Sequence, residues 1–263
     1  MMEIIVYDNV FFRYAKAAGK GSARGDVWFI HGFGESGLSF AEAFDSPLAE
    51  GFNLYVPDLP GFGVSPRRPD VNTVADSTKV LLDLIEGISK DAEVYLVGHS
   101  LGGIIGTWVA GSERLTGRVV AFANIEGNLT VADTFATSLT QNYDDPNAFF
   151  EFFSGVVVSR LGEGPVFRRF LASLTLADPG VLLSWGKSCV AATGETKSGE
   201  EYAALDVDTL YIWGDENTPE MTRDFILENN INNWEVKGAG HWVMIDKSEE
   251  CYGAIHDFFN ERT

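Results

Sequence analysis

The sequence predicts an α/β domain: a mostly parallel sheet flanked by helices, with a helical cap inserted at one end. Three observations predict it. Strand-like and helix-like segments alternate through the first 127 residues and resume after residue 201. Several strand candidates, among them "DVWFI" (26–30) and "EVYLV" (93–97), are short continuous apolar runs, the pattern of strands buried on both faces. The alternation breaks between about 128 and 201, where no clear strand occurs. Strands alternating with helices argue for parallel construction, so the helical stretch reads as an insertion at one strand's carboxyl end. Ligands in such sheets bind at the carboxyl ends of the strands, and the insertion would roof that site.

The elements follow in order. "EIIVY" (3–7) and "VFFRYAKA" (10–17) make a hairpin turning on Asp8-Asn9. After "DVWFI" a helix starts at Ser36, a residue type that caps helix N-termini. "FNLYVPD" (52–58) is the next strand, and its exit loop "LPGFGVSP" is rich in Gly and Pro. Val74 to Ile88 has helical periodicity, with Val80, Leu81, Leu84, Ile85 and Ile88 on one stripe. "EVYLVG" is a strand, "GGIIGTWVAG" (102–111) a helix and "RVVAFANIEG" (118–127) another strand. The insertion, residues 128–201, carries "NAFFEFFSGVVV", "GPVFRRFLASLTLA" and "GVLLSWGKS", short amphipathic helices separated by Gly and Pro. "TLYIWGDEN" (209–217) then opens the last part of the core (202–263). A helix near 219–228, the strand "NWEV", the loop "KGAGHWVM" and a helix from Ser248 complete it.

A chain of 263 residues, 45% hydrophobic, supports one large domain with a proper core. Its net charge of -19 repels nucleic acid and anionic membrane surfaces at long range, which excludes both as partners. Cys189 and Cys251 stand in no metal or redox spacing and read as buried thiols of a reducing compartment. The N-terminal residues show no basic n-region or cleavage site, and no apolar run approaches the roughly 18 residues of a membrane span. A cytoplasmic protein, monomeric or a homodimer, is expected. Cofactors and metals are not: the chain has no dinucleotide G-x-G-x-x-G after the first strand, no P-loop and no metal cluster.

"GHSLGG" (98–103) follows the strand "EVYLV" and opens a helix. A serine on so sharp a turn is held in a strained conformation with its hydroxyl above the sheet. The residues two before and two after must then be small, as Gly98 and Gly102 are. The N–H of Leu101, at the helix N-terminus, can point at a developing oxyanion.

From these residues on, the chain resembles the α/β-hydrolase superfamily over nearly its whole length. "HGFGES" (31–36) stands where family members carry an oxyanion loop, which implies the Phe33 N–H as second donor. "PDLPGFGVS" resembles the family's loop after the next strand, with Asp58 as a structural carboxylate. "GAGHWVM" resembles the histidine loop and implies His241 as the general base for Ser100. His31 belongs to the oxyanion turn, and His256 lies in the last helix. Nucleophilic-aspartate relatives are disfavoured, because Ser100 occupies the elbow.

The acid is the difficulty. Many family members carry G-x-x-D after the penultimate strand, but here the pattern ends at Asn217. Asp215, the adjacent Glu216, and Glu126, which closes the run "VVAFANI" on the preceding strand, compete for the role, with Asn217 itself as the remaining alternative. Strands lie only about 4.8 Å apart, so a glutamate there can reach the same imidazole. The expected reaction is cleavage of a small, largely apolar carboxylic ester, lactone or related acyl compound through an acyl-enzyme. A carbon–carbon hydrolase or lyase of the same fold, or a receptor that has kept the pocket and lost turnover, stands as the alternative. Pocket candidates are Gly32 and His99, neighbours of the reacting groups, with Trp242 beside the base and Trp185 in the insertion. Phe149, Phe150, Phe152 and Phe153 serve either the pocket or the insertion's own core.

Overall fold

The structure, a computed structural model, describes residues 2–19, 21 and 23–261. Its strands are β1 (Met2–Tyr7), β2 (Val10–Ala15), β3 (Asp26–Ile30), β4 (Asn53–Asp58), β5 (Val94–His99), β6 (Val119–Ile125), β7 (Asp208–Gly214) and β8 (Asn233–Val236). They form one sheet in the order β1-β2-β4-β3-β5-β6-β7-β8. β2 is antiparallel to both neighbours, and every pairing from β4 to β8 is parallel. The β1–β2 hairpin turns on Asp8 and Asn9, both at positive φ (49° and 59°), the geometry that matches the twist of the flanking strands.

The helices are α1 (Leu48–Gly51), α2 (Val74–Ile88), α3 (Leu101–Ala110), α4 (Pro146–Ser159), α5 (Pro165–Leu174), α6 (Pro179–Thr193), α7 (Lys197–Ala203), α8 (Glu220–Glu228), α9 (Val243–Asp246) and α10 (Ser248–Asn260). Each begins for a local reason where the sequence supplies one. Thr73 and Asp76 close a reciprocal capping box on α2. Asp145 and Asp178 cap α4 and α6, each followed by a proline at the first helical position. Ser36 does cap a helix, but the segment it opens, Gly37–Asp45, is 3-10 and kinked at Phe40.

The central strands are buried on both faces, as their unbroken apolar runs require. Trp28, Ile30, Leu96 and Phe122 point into the core beneath α2 and α3. Val27, Phe29, Tyr95, Val97 and Ala123 point to the opposite core, against α10. Each large side chain so buried contributes about 1.5–3 kcal/mol.

Between β6 and β7 the chain makes a helical excursion through α4 to α7, with 3-10 turns at Val131–Thr134 and Thr137–Asn142. It is anchored to the body of the domain at several points. Trp185 donates to Ser77 Oγ of α2 (2.9 Å) and packs on Phe62 and His31. Arg169 makes two bonds to Glu42 (2.7 and 2.6 Å), and Ser173 bonds Ser36 (2.9 Å). Cys189 and Cys251 are buried and free. Among the described residues no helix is long and apolar enough to cross a membrane.

Candidate active site

Three neighbouring strands deliver the site. In register, His99 pairs with Ile125 and Ile125 with Ile212, so Ser100 and Glu126 leave β5 and β6 side by side at the carboxyl edge. Ser100 sits at φ 53°, ψ -127°, a backbone conformation that costs a non-glycine residue about 1–3 kcal/mol. The turn closes only because its flanks lack side chains. A Cβ on Gly98 would lie 2.7 Å from Gly102 O, and one on Gly102 would lie 2.2 Å from Ile30 O. Glu126, at φ 48°, is a second strained residue on the adjacent strand end.

Glu126 is 4% exposed, and its carboxylate is fully engaged. Oε1 accepts from the Gly214 N–H (2.8 Å) and from the Thr218 hydroxyl. Oε2 accepts from Asn217 Nδ2 (2.8 Å) and faces His241 Nδ1 at 3.3 Å. Asn217 Nδ2 is also 3.3 Å from that ring nitrogen. A carboxylate beside an amide selects its NH₂ end, so Asn217 serves Glu126 as a donor and offers no acceptor to the histidine. Gly214, Asn217 and Thr218 together hold Glu126 in place across the strand gap.

Ser100 and His241 line one narrow cavity of about 120 Å³. Its walls are mostly apolar, with Phe33, Leu139, Phe153, Val157, Phe170 and Trp242 among them. The other polar groups are few: Glu35, Asn128, Asp133, Thr137 and Arg160. Burial pushes the Asp133 carboxyl up to about 6, against bonds from the Thr130 and Leu129 N–H groups and from Thr222. Arg160 is held by Glu163 and lies over the Phe167 ring. Phe135, half exposed, packs edge-on against His241.

Four sequence expectations need correction. Asp215 points away from the histidine: it accepts from the Gly238 N–H (2.7 Å) and lies 3.8 Å from Lys237 Nζ. Its position two residues before Asn217 turns it to the other side of the loop. Trp185 is no wall of the cavity; it is fully buried in the packing between the excursion and α2. His99 is also fully buried, bonded to Glu35 (3.0 Å) and to the carbonyl of His241 (2.9 Å). Gly32 backs directly onto Ser100, where a Cβ would lie 2.9 Å from the serine Cβ, and its N–H goes to Glu35 (3.0 Å). Of the phenylalanines, Phe153 faces the cavity, whereas Phe149 is buried against Phe33 and Tyr143. Asp215→Asn keeps an acceptor for the Gly238 N–H and removes only a charge that faces away from the histidine, so turnover should stay within roughly twofold of wild type. Steady-state kinetics on any substrate found would check it.

His31 and Asp58 hold loops. His31 Nε2 accepts from the Leu59 N–H (3.1 Å), and burial lowers the pKa of this imidazole. Asp58 accepts from the Gly37 (2.7 Å) and Val64 (3.0 Å) N–H groups and pairs with Arg13 (2.6 Å). Sequence reasoning missed Glu35, although a lone acid inside the Gly-rich turn "HGFGES" is a signal of a buried, partnered carboxylate. Among the described residues, no group of three His, Cys, Asp or Glu could hold a metal ion.

A serine on a strained strand-to-helix turn, with a loop histidine above a mostly parallel sheet, is the architecture of an α/β hydrolase. Residues 29–254 match the Alpha/beta hydrolase family, and the chain belongs to it. A probable esterase of Oryza sativa subsp. japonica is 22% identical over 247 residues, covering 84% of this chain and 92% of that protein. The dihydrolipoyllysine-residue acetyltransferase component of the acetoin cleaving system of Cupriavidus necator is 33% identical over 103 residues, 39% of this chain. That match spans 26% of the relative's length. Among solved structures, an N-acyl homoserine lactonase complexed with N-hexanoyl homoserine superposes with a TM-score of 0.76 at 17% identity, covering 100% of this chain and 98% of that one. At that identity the likeness is one of fold.

Proposed function

We propose that this protein is a serine hydrolase that cleaves a small, largely apolar carboxylic ester or lactone through an acyl-enzyme on Ser100. One observation carries the reading: Ser100 and His241 open into the same apolar cavity, and the far nitrogen of His241 is backed by the buried Glu126. In the first step Ser100 Oγ attacks the carbonyl carbon while His241 Nε2 takes its proton. The N–H groups of Phe33 and Leu101 receive the oxyanion. Glu126 keeps the Nδ1 proton on the imidazole and stabilises the imidazolium. His241 then protonates the departing alcohol oxygen, which in a lactone stays tethered to the acyl group. Water attacks the acyl-enzyme by the same route and regenerates Ser100.

The apolar walls favour an uncharged acyl portion, and the carboxylates of Glu35 and Asp133 disfavour an anionic one. The kinship with a probable esterase and the shared fold with a lactonase agree with an ester or lactone. Asn217, taken alone, speaks for a receptor without turnover. It loses that weight because it donates to Glu126 and leaves the acid's place to that residue.

The test is the rate of labelling by a fluorophosphonate, read as an intact-mass increase and located by peptide mapping. Rapid, stoichiometric labelling on Ser100, together with hydrolysis of short-chain esters or lactones, is the expected result. Folded wild-type protein that resists the reagent would sink the hydrolase reading in favour of a receptor.

A further inference from the structure

We propose that Glu35 and His99 form a buried carboxylate–imidazolium pair that holds the oxyanion loop, the serine turn and the histidine loop in register, and that both are positioning residues for the reaction. The proposal rests on the reading of Ser100 and His241 as nucleophile and base.

The hydrogen bonds around the pair fix where its protons lie. Glu35 is 2% exposed and His99 0%, so neither group can turn to water. His99 Nε2 faces the His241 carbonyl oxygen at 2.9 Å. A carbonyl only accepts, so Nε2 carries a proton. His99 Nδ1 faces the Glu35 carboxyl at 3.0 Å. That carboxyl already accepts from two fixed donors, the Gly32 N–H (3.0 Å) and the Trp242 indole N–H (2.7 Å). Donors aimed at both oxygens favour the ionised form, which makes Nδ1 the third donor and His99 doubly protonated. Burial opposes both charges, and their mutual attraction overrides it: the Glu35 carboxyl is held well below its ordinary range and the His99 imidazole above.

The connections explain why such a pair is worth its desolvation. Gly32 precedes Phe33, His99 precedes Ser100, and Trp242 follows His241, whose own carbonyl is bonded to His99. One carboxylate and one imidazolium therefore tie the neighbours of the oxyanion donor, the nucleophile and the base. The other titratable groups facing the pair are His241, whose ring centre is 4.8 Å from that of His99, and Glu126, whose charge favours the imidazolium. His31, its own pKa lowered by burial, lies on the Glu35 side, with Asp58 and Arg13 beyond it. A misplacement of about 1 Å in such a constellation costs on the order of 100-fold in rate.

Glu35→Gln keeps the shape and removes the charge, and its single carbonyl oxygen can serve only one of the two fixed donors. Its labelling rate and kcat should fall about 10- to 100-fold, with KM changed less than about threefold. Ring-nitrogen NMR of ¹⁵N-histidine protein should show both His99 nitrogens protonated in the wild type at pH 7 and only one in Glu35→Gln. Glu35→Asp, which retains the charge, should keep both protons and recover part of the rate. The sign of the pH dependence follows from the same pair. The stabilisation from His99, whose folded pKa is raised, is fully present below its ordinary 6.5 and is lost as pH rises through the folded value. The stabilisation from Glu35 is present above its ordinary 4.5 and is lost as pH falls towards about 2. Melting temperatures should decline on both sides in the wild type, and by less in Glu35→Gln. A singly protonated wild-type His99, or Glu35→Gln labelling within threefold of wild type, overturns the proposal. If Glu35→Gln does not fold, the wild-type spectrum and Glu35→Asp decide the matter. The NMR result needs no turnover, so it separates failure of the pair from failure of the hydrolase reading, which unlabelled wild-type protein would signal.

Discussion

Glu126→Gln should lower kcat by about 10³- to 10⁴-fold, the scale at which a serine hydrolase loses function when its acid becomes an amide. A glutamine has the same shape and can still accept from the Gly214 N–H, so the fold should survive. It carries no charge to stabilise imidazolium. Its NH₂ group can also turn towards His241 Nδ1 and enforce the tautomer that places the proton on Nε2, where it blocks uptake from Ser100. Asn217 cannot compensate, since an amide carries no charge to stabilise imidazolium whichever of its ends faces that nitrogen at 3.3 Å. Adding Asn217→Asp to the Glu126→Gln background should recover much of the loss, because it places a carboxylate where the amide nitrogen now stands. In the wild-type background Asn217→Asp should impair the enzyme instead, by setting two carboxylates against each other. Labelling rates and kcat/KM for the three variants check this, and Glu126→Gln within tenfold of wild type would remove Glu126 from the reaction.

Gly102→Ala should abolish folding or reduce stability by about 3 kcal/mol or more, the upper range for overpacking a buried site. The added methyl would lie 2.2 Å from Ile30 O and 2.8 Å from His31 O. Both are backbone atoms at the end of the central strand β3, which is fully buried and paired on both sides, so no flexible side chain can give way. The control is Gly155→Ala on the exposed face of α4, where a Cβ meets nothing within 4 Å. That change should stabilise by roughly 0.5–1 kcal/mol through helix propensity and reduced unfolded-state entropy. Urea titrations of the three proteins measure both effects. A Gly102→Ala protein as stable as wild type would mean that the serine turn is looser than its contacts imply.

The legibility of the fold differed between regions for physical reasons. Strands β3, β5 and β6 were readable because a strand buried on both faces must be apolar at every position. Helix α2 was readable end to end because its stripe repeats at the helical period from Val74 to Ile88. Ser36 misled in one respect: a good N-cap specifies that a helix starts, but not whether its hydrogen bonds close as α or 3-10. Trp185 was ambiguous because an indole suits a pocket wall and a core equally well, and only the proximity of Ser77 decided between them.

The site divides along the same line. Local sequence by itself determined the serine turn, which is written in the six consecutive residues 98–103, while the backbone that forbids a side chain at Gly102 is that of Ile30. It also determined that a histidine loop follows the last strand. Tertiary structure alone decided which acid backs His241, because Glu126, Asn217 and His241 are 91 and 24 residues apart in sequence and meet only through the register of β6 against β7. It alone joined Glu35 to His99 and Trp242, across 64 and 207 residues. Short-range sterics leave their mark in the residue types of a single turn. The partner of a buried charge is set by how distant strand ends align, and that alignment is written in no one segment of the chain.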